Sequence, residues 1–263
     1  MTIDLFKYPR TKHLQGSRLQ AGDEDLDAVP FRMLRGKSII VEEKLDGANS
    51  GVSFDDSGRL HLQSRGHFLD GGPREKHFAL LKTWANTHKQ ALWEALGSRY
   101  VLYGEWLYAK HTIFYDCLPH YFMEFDVLDK THRMFLSTSR RRELLHGLPI
   151  KAVPVLYSGQ ARTVEHLRGL IGRSLYKTDS WKARLFESAL SVGADEERAA
   201  TETDCSDLME GLYIKTESGG VVTGRYKYIR ASFLAAVVDS GSHWLDRPII
   251  PNQLSPCADI FEI

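Results

Sequence analysis

Apolar and polar positions fall into short alternating runs separated by turn residues. Residues 38–43 (S-I-I-V-E-E) are rich in β-branched side chains and predict a strand. Residues 49–54 and 60–63 flank Asp55-Asp56-Ser57-Gly58, the pattern of a hairpin around an Asp/Ser/Gly turn. Residues 75–96 place Phe78, Leu81, Trp84, Ala85, Leu92 and Leu96 at near-helical spacing and predict a helix. Residues 100–103 and 121–128, aromatic and β-branched, predict strands; 139–145 and 164–171 predict helices. Residues 212–216 and 220–229 form a second strand pair around Glu217-Ser218-Gly219. Strand pairs interspersed with helices, without regular βα alternation, predict an α+β fold with mainly antiparallel sheets flanked by helices.

Composition narrows this little. The 263 residues are 43% hydrophobic and 26% charged, which excludes disordered, collagenous and coiled-coil classes. Cys117, Cys205 and Cys257 are too far apart in sequence for a metal motif and too odd in number for a disulfide framework, so reduced thiols and a cytoplasmic location are expected. No apolar run approaches a signal peptide or membrane span. Residues 1–37, with an acidic cluster at Asp23, Glu24, Asp25 and Asp27, read as an N-terminal extension, and 231–263 as a short tail or helical cap. The 34 basic and 34 acidic residues cancel, but unevenly. Residues 130–190 hold 12 Lys and Arg against 4 Asp and Glu, whereas 191–210 hold one Arg against 7 acids. The basic stretch, with Arg140-Arg141-Arg142, is either a solvated face or a track for a phosphate backbone.

The stretch with chemistry in it is Glu42-Glu43-Lys44-Leu45-Asp46-Gly47-Ala48-Asn49. A lysine ends a strand and runs into an Asp-Gly turn. Glu42 and Lys44 share a strand face. A lysine held at a sheet edge among other charges can serve as a nucleophile once its proton is lost. Taken alone, the tetrapeptide fits an ordinary surface turn better.

Further motifs follow in order: Ser64-Arg65-Gly66, Tyr103-Gly104-Glu105-Trp106, Phe122-Met123-Glu124-Phe125-Asp126, Glu210-Gly211-Leu212-Tyr213-Ile214-Lys215 and Gly224-Arg225-Tyr226-Lys227. Together with Lys44-Leu45-Asp46-Gly47 they resemble the ordered motifs of the covalent nucleotidyltransferases: DNA ligases, RNA ligases and mRNA capping enzymes. Asn49 stands where DNA ligases and capping enzymes carry arginine. RNA ligases of the phage T4 ligase 2 type carry asparagine there, so the sequence looks like an RNA ligase of that type. Asp46 departs from the histidine of the phage and trypanosome enzymes. The chain ends 36 residues after Lys227, too few for an OB-fold domain, so a single adenylyltransferase domain is expected.

The resemblance implies an ATP-dependent reaction in which Lys44 takes AMP, passes it to an RNA 5′-phosphate, and a 3′-hydroxyl then seals the ends. It implies Mg²⁺ or Mn²⁺ held by Glu210 with Glu105, and Glu105 or Arg65 on the ribose or substrate end. Lys215 and Lys227 are expected on phosphates, with Arg225 replacing the first lysine of the last motif and Arg230 beyond it. Phe125 is the expected adenine-stacking ring, Glu42 a candidate acceptor for the adenine amino group, and Asn49 a residue for the steps on nucleic acid. Expected partners are RNA ends or nicked RNA duplex and an end-healing kinase or phosphatase, with no membrane. Two other functions fit less closely: a DNA-sealing or capping-type transferase, and a non-catalytic end-binding subunit. The latter should have lost a motif Lys or Glu, and Lys44, Glu105, Glu210 and Lys227 are all present.

Overall fold

Two β-sheets face each other across a cavity in the computed structural model, which describes residues 4–18, 28–233 and 248–262. In chain order the strands are β1 (Lys12–His13), β2 (Ser38–Lys44), β3 (Ala48–Phe54), β4 (Leu60–Ser64), β5 (Tyr100–Trp106) and β6 (Phe122–Asp129). They continue with β7 (Met134–Phe135), β8 (Lys151–Ala152), β9 (Val155–Gln160), β10 (Gly211–Ser218) and β11 (Val221–Ile229). The helices are α1 (Ala79–Thr87), α2 (Lys89–Leu96), α3 (Thr138–Leu144), α4 (Val164–Arg168), α5 (Trp181–Ser191) and α6 (Glu196–Thr201).

The first sheet runs β1-β11-β10-β2-β9; the second runs β4-β3-β5-β6-β7, with β8 beside β6. Pairing is antiparallel except for β1 with β11 and β6 with β8. Both expected strand pairs form hairpins. Gly219 and Gly220 close β10–β11 with φ of +60° and +79°, the left-handed conformations that a two-residue hairpin turn requires.

Alternation assigns the faces. On the first sheet Ile39, Val41, Leu212, Ile214 and Tyr228 point away from the cavity into a core with Leu14, Phe31 and Leu167. The second sheet packs α1 and α2 through Leu81, Trp84, Leu92 and Leu96. Trp84 stacks on Phe122 with ring centroids 5.2 Å apart; truncating such a buried ring costs about 3–5 kcal/mol.

The expected helix over 75–96 is split at His88 into α1 and α2. Asn86 and Thr87 bond back to Lys82 and Thr83 carbonyls, and His88 is buried with Nε2 at 3.3 Å from the Ile260 carbonyl. Local side-chain bonds of this kind compete with continuation of the helix. The helix expected over 164–171 stops at Arg168, before Gly169. Residues 4–18, read as extension, are built in: β1 joins the first sheet, and Tyr8 and Leu14 are buried. The acidic cluster at 23–27 lies outside the described residues, as do 234–247 of the expected tail or cap; 248–262 form an extended strap without a helix. Among the described residues no helix is long and apolar enough to cross a membrane.

Candidate active site

The cavity between the sheets measures about 560 Å³, within the range of small-molecule sites. Lys44, Asn49, Arg65, Glu105, Phe125 and Lys227, all singled out in the sequence, line it. Strand alternation on β2 sends Lys44 and Glu42 to the cavity side, and Glu210 meets Lys44 from the residue before β10.

The Lys44 ammonium donates to Glu210 Oε2 at 2.7 Å; Glu210 is only 1% exposed. Across the cavity Glu105 Oε1 accepts from the Gly47 N–H at 3.1 Å. Asp46 turns away from the cavity and accepts from the Thr112 and Ile113 amides, both at 2.7 Å. The turn needs Gly47: a Cβ there would lie 2.7 Å from Leu107 Cδ2 and from the Trp106 carbonyl oxygen.

Burial disfavours the Lys44 ammonium, but Glu210, Glu105 and Asp46 outweigh it and raise its pKa above the usual value. Burial pushes Glu105 up to about 8 and Glu210 up to about 7, although Lys44 pulls both down. The site therefore carries more carboxylate than Lys44 balances. Desolvation alone therefore does not neutralise the lysine, because its carboxylate neighbours override it.

Below the cavity floor lies a buried ionic network. Glu42 Oε1 accepts from Arg141 Nη2 at 2.9 Å, and Glu42 Oε2 lies 2.9 Å from Lys215 Nζ. Arg141 Nε reaches Glu124 at 3.1 Å, and Lys215 reaches Asp126 at 3.2 Å and donates to the Phe125 carbonyl. Tyr8 donates to Asp126 Oδ2 at 2.5 Å and its hydroxyl also meets that of Tyr213. Both carboxylate oxygens of Glu42 thus face cations. Lys215, expected on the phosphates, is 1% exposed within the network rather than on the cavity wall. Arg225 pairs across the hairpin with Lys215, lies 3.7 Å from the Phe135 ring centroid and is not brought to the cavity wall. Arg230 is spent on the Met209 carbonyl and Asp204.

Phe125 is 8% exposed and meets Tyr8 edge-on at 5.2 Å. Asn49 pairs across the sheet with Glu105, and its Oδ1 is buried without a hydrogen-bond partner among the described residues. Arg65 stands exposed at the mouth. Tyr8, Pro9, Thr11 and Tyr213 add to the wall, as does Glu42. Sequence reading passed over Tyr8 and Thr11, whose only local signal was an aromatic residue in a polar segment.

The basic stretch 130–190 does not form one face. Arg141 is fully buried, and Lys177 is buried with its ammonium on the Ser206 carbonyl and over the Trp181 ring. Burial lowers the Lys177 pKa to about 8. Arg173 pairs with Asp179, and Arg184 lies near Asp116. Arg133, Arg140, Arg142, Lys151, Arg162, Arg168 and Lys182 remain exposed. A charge count along the sequence could not divide these groups, because burial is decided by partners distant in sequence.

The donor set suits a hard divalent cation. Glu105 and Glu210 offer carboxylate oxygens whose ionisation is disfavoured first by burial. Among the described residues no group of three or more His, Cys, Asp or Glu side chains is placed to hold a metal. Two carboxylates, with phosphate oxygens and water completing the shell, are the mode of binding that Mg²⁺ favours.

A strand-end lysine ringed by carboxylates, between two sheets that enclose a nucleotide-sized cavity, defines the nucleotidyltransferase class of fold. The profile of the RNA ligase family matches residues 37–229, and the chain belongs to that family. The fold is similar to that of a Naegleria gruberi RNA ligase lysine-to-alanine variant with ATP and Mn: TM-score 0.56, 18% identity, over 90% of this chain and 60% of that one. The same ligase with pyrophosphate gives TM-score 0.56 and 19% identity over 89% and 58%. A glutamate-to-alanine variant with AMP and Mn gives 0.55 and 18% over 89% and 59%. At such identities the likeness is one of fold, and this chain spans about 60% of the length of those ligases. No curated protein matches the chain in sequence.

Proposed function

We propose that the protein is an ATP-dependent RNA ligase of the phage T4 ligase 2 type, whose adenylyltransferase domain joins 5′-phosphate and 3′-hydroxyl RNA ends. The observation that carries this reading is Lys44 at 2.7 Å from Glu210 in a cavity that also presents Glu105, Asn49 and Phe125. Asn49 supports the RNA-sealing subtype: it lines the cavity beside Lys44 and Glu105.

The chain's own groups take the following parts in a three-step account. The unprotonated Lys44 amine attacks the α-phosphorus of ATP, an N–P bond forms, and the bond to the pyrophosphate leaving group breaks. Phe125 offers a flat face for the base, and Lys227 a cation for the phosphates. A 5′-phosphate oxygen then takes the AMP, the N–P bond breaks, and Lys44 recovers a proton. Finally a 3′-hydroxyl oxygen attacks the 5′-phosphorus, loses its proton and expels AMP. Mg²⁺ or Mn²⁺ held by Glu210 and Glu105 would offset the surplus negative charge and thereby lower the Lys44 pKa. Arg65, exposed at the mouth, is placed to meet the incoming strand, which in the cell would come from an end-healing kinase or phosphatase.

Sealing of a 5′-phosphorylated nick in duplex RNA, set against the same nick in DNA and against GTP in place of ATP, tests this reading. Preferential sealing of RNA with ATP supports it. A preference for the DNA nick or for GTP points to a DNA-sealing or capping-type enzyme, and nick binding without covalent labelling to an end-binding subunit.

A further inference from the structure

The turn that carries Lys44 is gripped by the segment 107–118. Thr112 and Ile113 amides bind the Asp46 carboxylate, the Asp46 N–H donates to the Tyr115 hydroxyl at 2.8 Å, and Leu107 packs on Gly47. This segment has no helix or extended strand of its own. It is held by residues 248–262, which lie beyond the family-matched span 37–229.

Asn252 is the fastening. It is 1% exposed and bridges the segment: Nδ2 donates to the Leu107 carbonyl at 2.7 Å, and Oδ1 accepts from the Tyr115 N–H at 2.9 Å. Its backbone N–H donates to Tyr108 and its carbonyl accepts from the Tyr121 hydroxyl, both at 2.8 Å. A carboxamide supplies a donor and an acceptor on one short side chain, as this bridge demands. Neither Asn252 nor any of these partners lines the cavity.

We propose that Asn252 is a positioning residue for the nucleophile: through Leu107 and Tyr115 the C-terminal strap fixes the Lys44 turn for attack on the nucleotide. The inference rests on the lysine-adenylylation reading of the site. Removing the carboxamide leaves the Leu107 carbonyl and Tyr115 N–H without their partner, so the turn loses its fixed position while the nucleotide walls stay intact. A nucleophile displaced by about 1 Å can lose on the order of 10²-fold in rate.

Single-turnover labelling of the full chain with α-labelled ATP and Mg²⁺, below the unfolding transition of every variant, tests the assignment. For Asn252→Ala the rate at saturating ATP is expected to fall by at least about tenfold, while the half-saturating ATP concentration stays within about twofold. Leu96→Ala, a core truncation in α2, is expected to destabilise the fold and to label at the wild-type rate. If Asn252→Ala does not fold, Tyr115→Phe removes only the hydroxyl that Asp46 binds and is expected to show the same split. Equal rates for the wild type and the variant, or a comparable loss in Leu96→Ala, would overturn the role of Asn252. Absence of label on the wild-type protein would instead overturn the reading on which the role rests.

Discussion

Lys44 and Glu210 are 166 residues apart in sequence and 2.7 Å apart in the fold, and their contact sets the charge state of the site. In the protein alone, Glu210, Glu105 and Asp46 keep the lysine protonated. On the proposed mechanism attack by Lys44 needs a countercharge, and Glu210 would hold the cation that supplies it. Glu210→Gln keeps the shape of the side chain and removes its charge. The Mg²⁺ or Mn²⁺ concentration for half-maximal lysine labelling is expected to rise at least about tenfold, measured by titrating the metal at fixed ATP.

The same surplus of carboxylate gives a pH signature. Glu43, Glu105 and Glu210 have pKa values raised by burial to about 7, 8 and 7. Each binds its proton more tightly folded than unfolded, so its contribution is fully present below the unfolded pKa and is lost as pH rises through the folded value. His120, lowered to about 4 by burial, works in the opposite direction below its ordinary 6.5. Between 6.5 and 8, therefore, the metal-free protein is expected to lose stability as pH rises, with a slope of up to about 1.4 kcal/mol per pH unit for each proton retained only by the fold. Denaturant melts with a chelator present check this. The slope should shrink when Mg²⁺ and ATP are added.

Arg141 is fully buried between Glu42 and Glu124. Arg141→Met removes the cation, strands Glu124 and leaves Glu42 with Lys215 alone, at an expected cost of about 3–5 kcal/mol. Neutralising the acids in the same chain, with Glu42→Gln and Glu124→Gln, is expected to recover part of the loss. Urea denaturation of the single and triple variants measures both.

Phe125 tests the base pocket separately from the chemistry. Phe125→Ala is expected to raise the half-saturating ATP concentration by about 5- to 100-fold, the equivalent of one lost base–aromatic contact. The rate at saturating ATP should change much less. An unchanged ATP requirement would assign the ring to the core alone.

The parts of the site that were legible in sequence are those whose chemistry is written locally. Lys44 ends a β-branched strand and precedes Asp-Gly, and Glu105, Asn49 and Lys227 stand in short motifs on predicted strands. All four line the cavity. Arg141 was not legible. It sits in a run of three arginines that reads as surface, and only Glu42, 99 residues earlier, and Glu124 make burial affordable. Lys215 lay in a recognisable motif, but its place in that network rather than on the cavity wall depends on Glu42 and Asp126. Tyr8 reaches Asp126 across 118 residues, and Asn252 reaches Tyr115 across 137. Alternation and turn residues gave the strands because they act over a few positions, whereas His88, where the helix splits, also meets Ile260, 172 residues away.

The central claim is that Lys44 becomes covalently bound to AMP. Intact-protein mass spectrometry after incubation with ATP and Mg²⁺, followed by peptide mapping, measures it directly. The expected result is the addition of one AMP, located on Lys44 and absent from Lys44→Ala. An unmodified wild-type protein, or an AMP mapped to a different residue, would contradict the account.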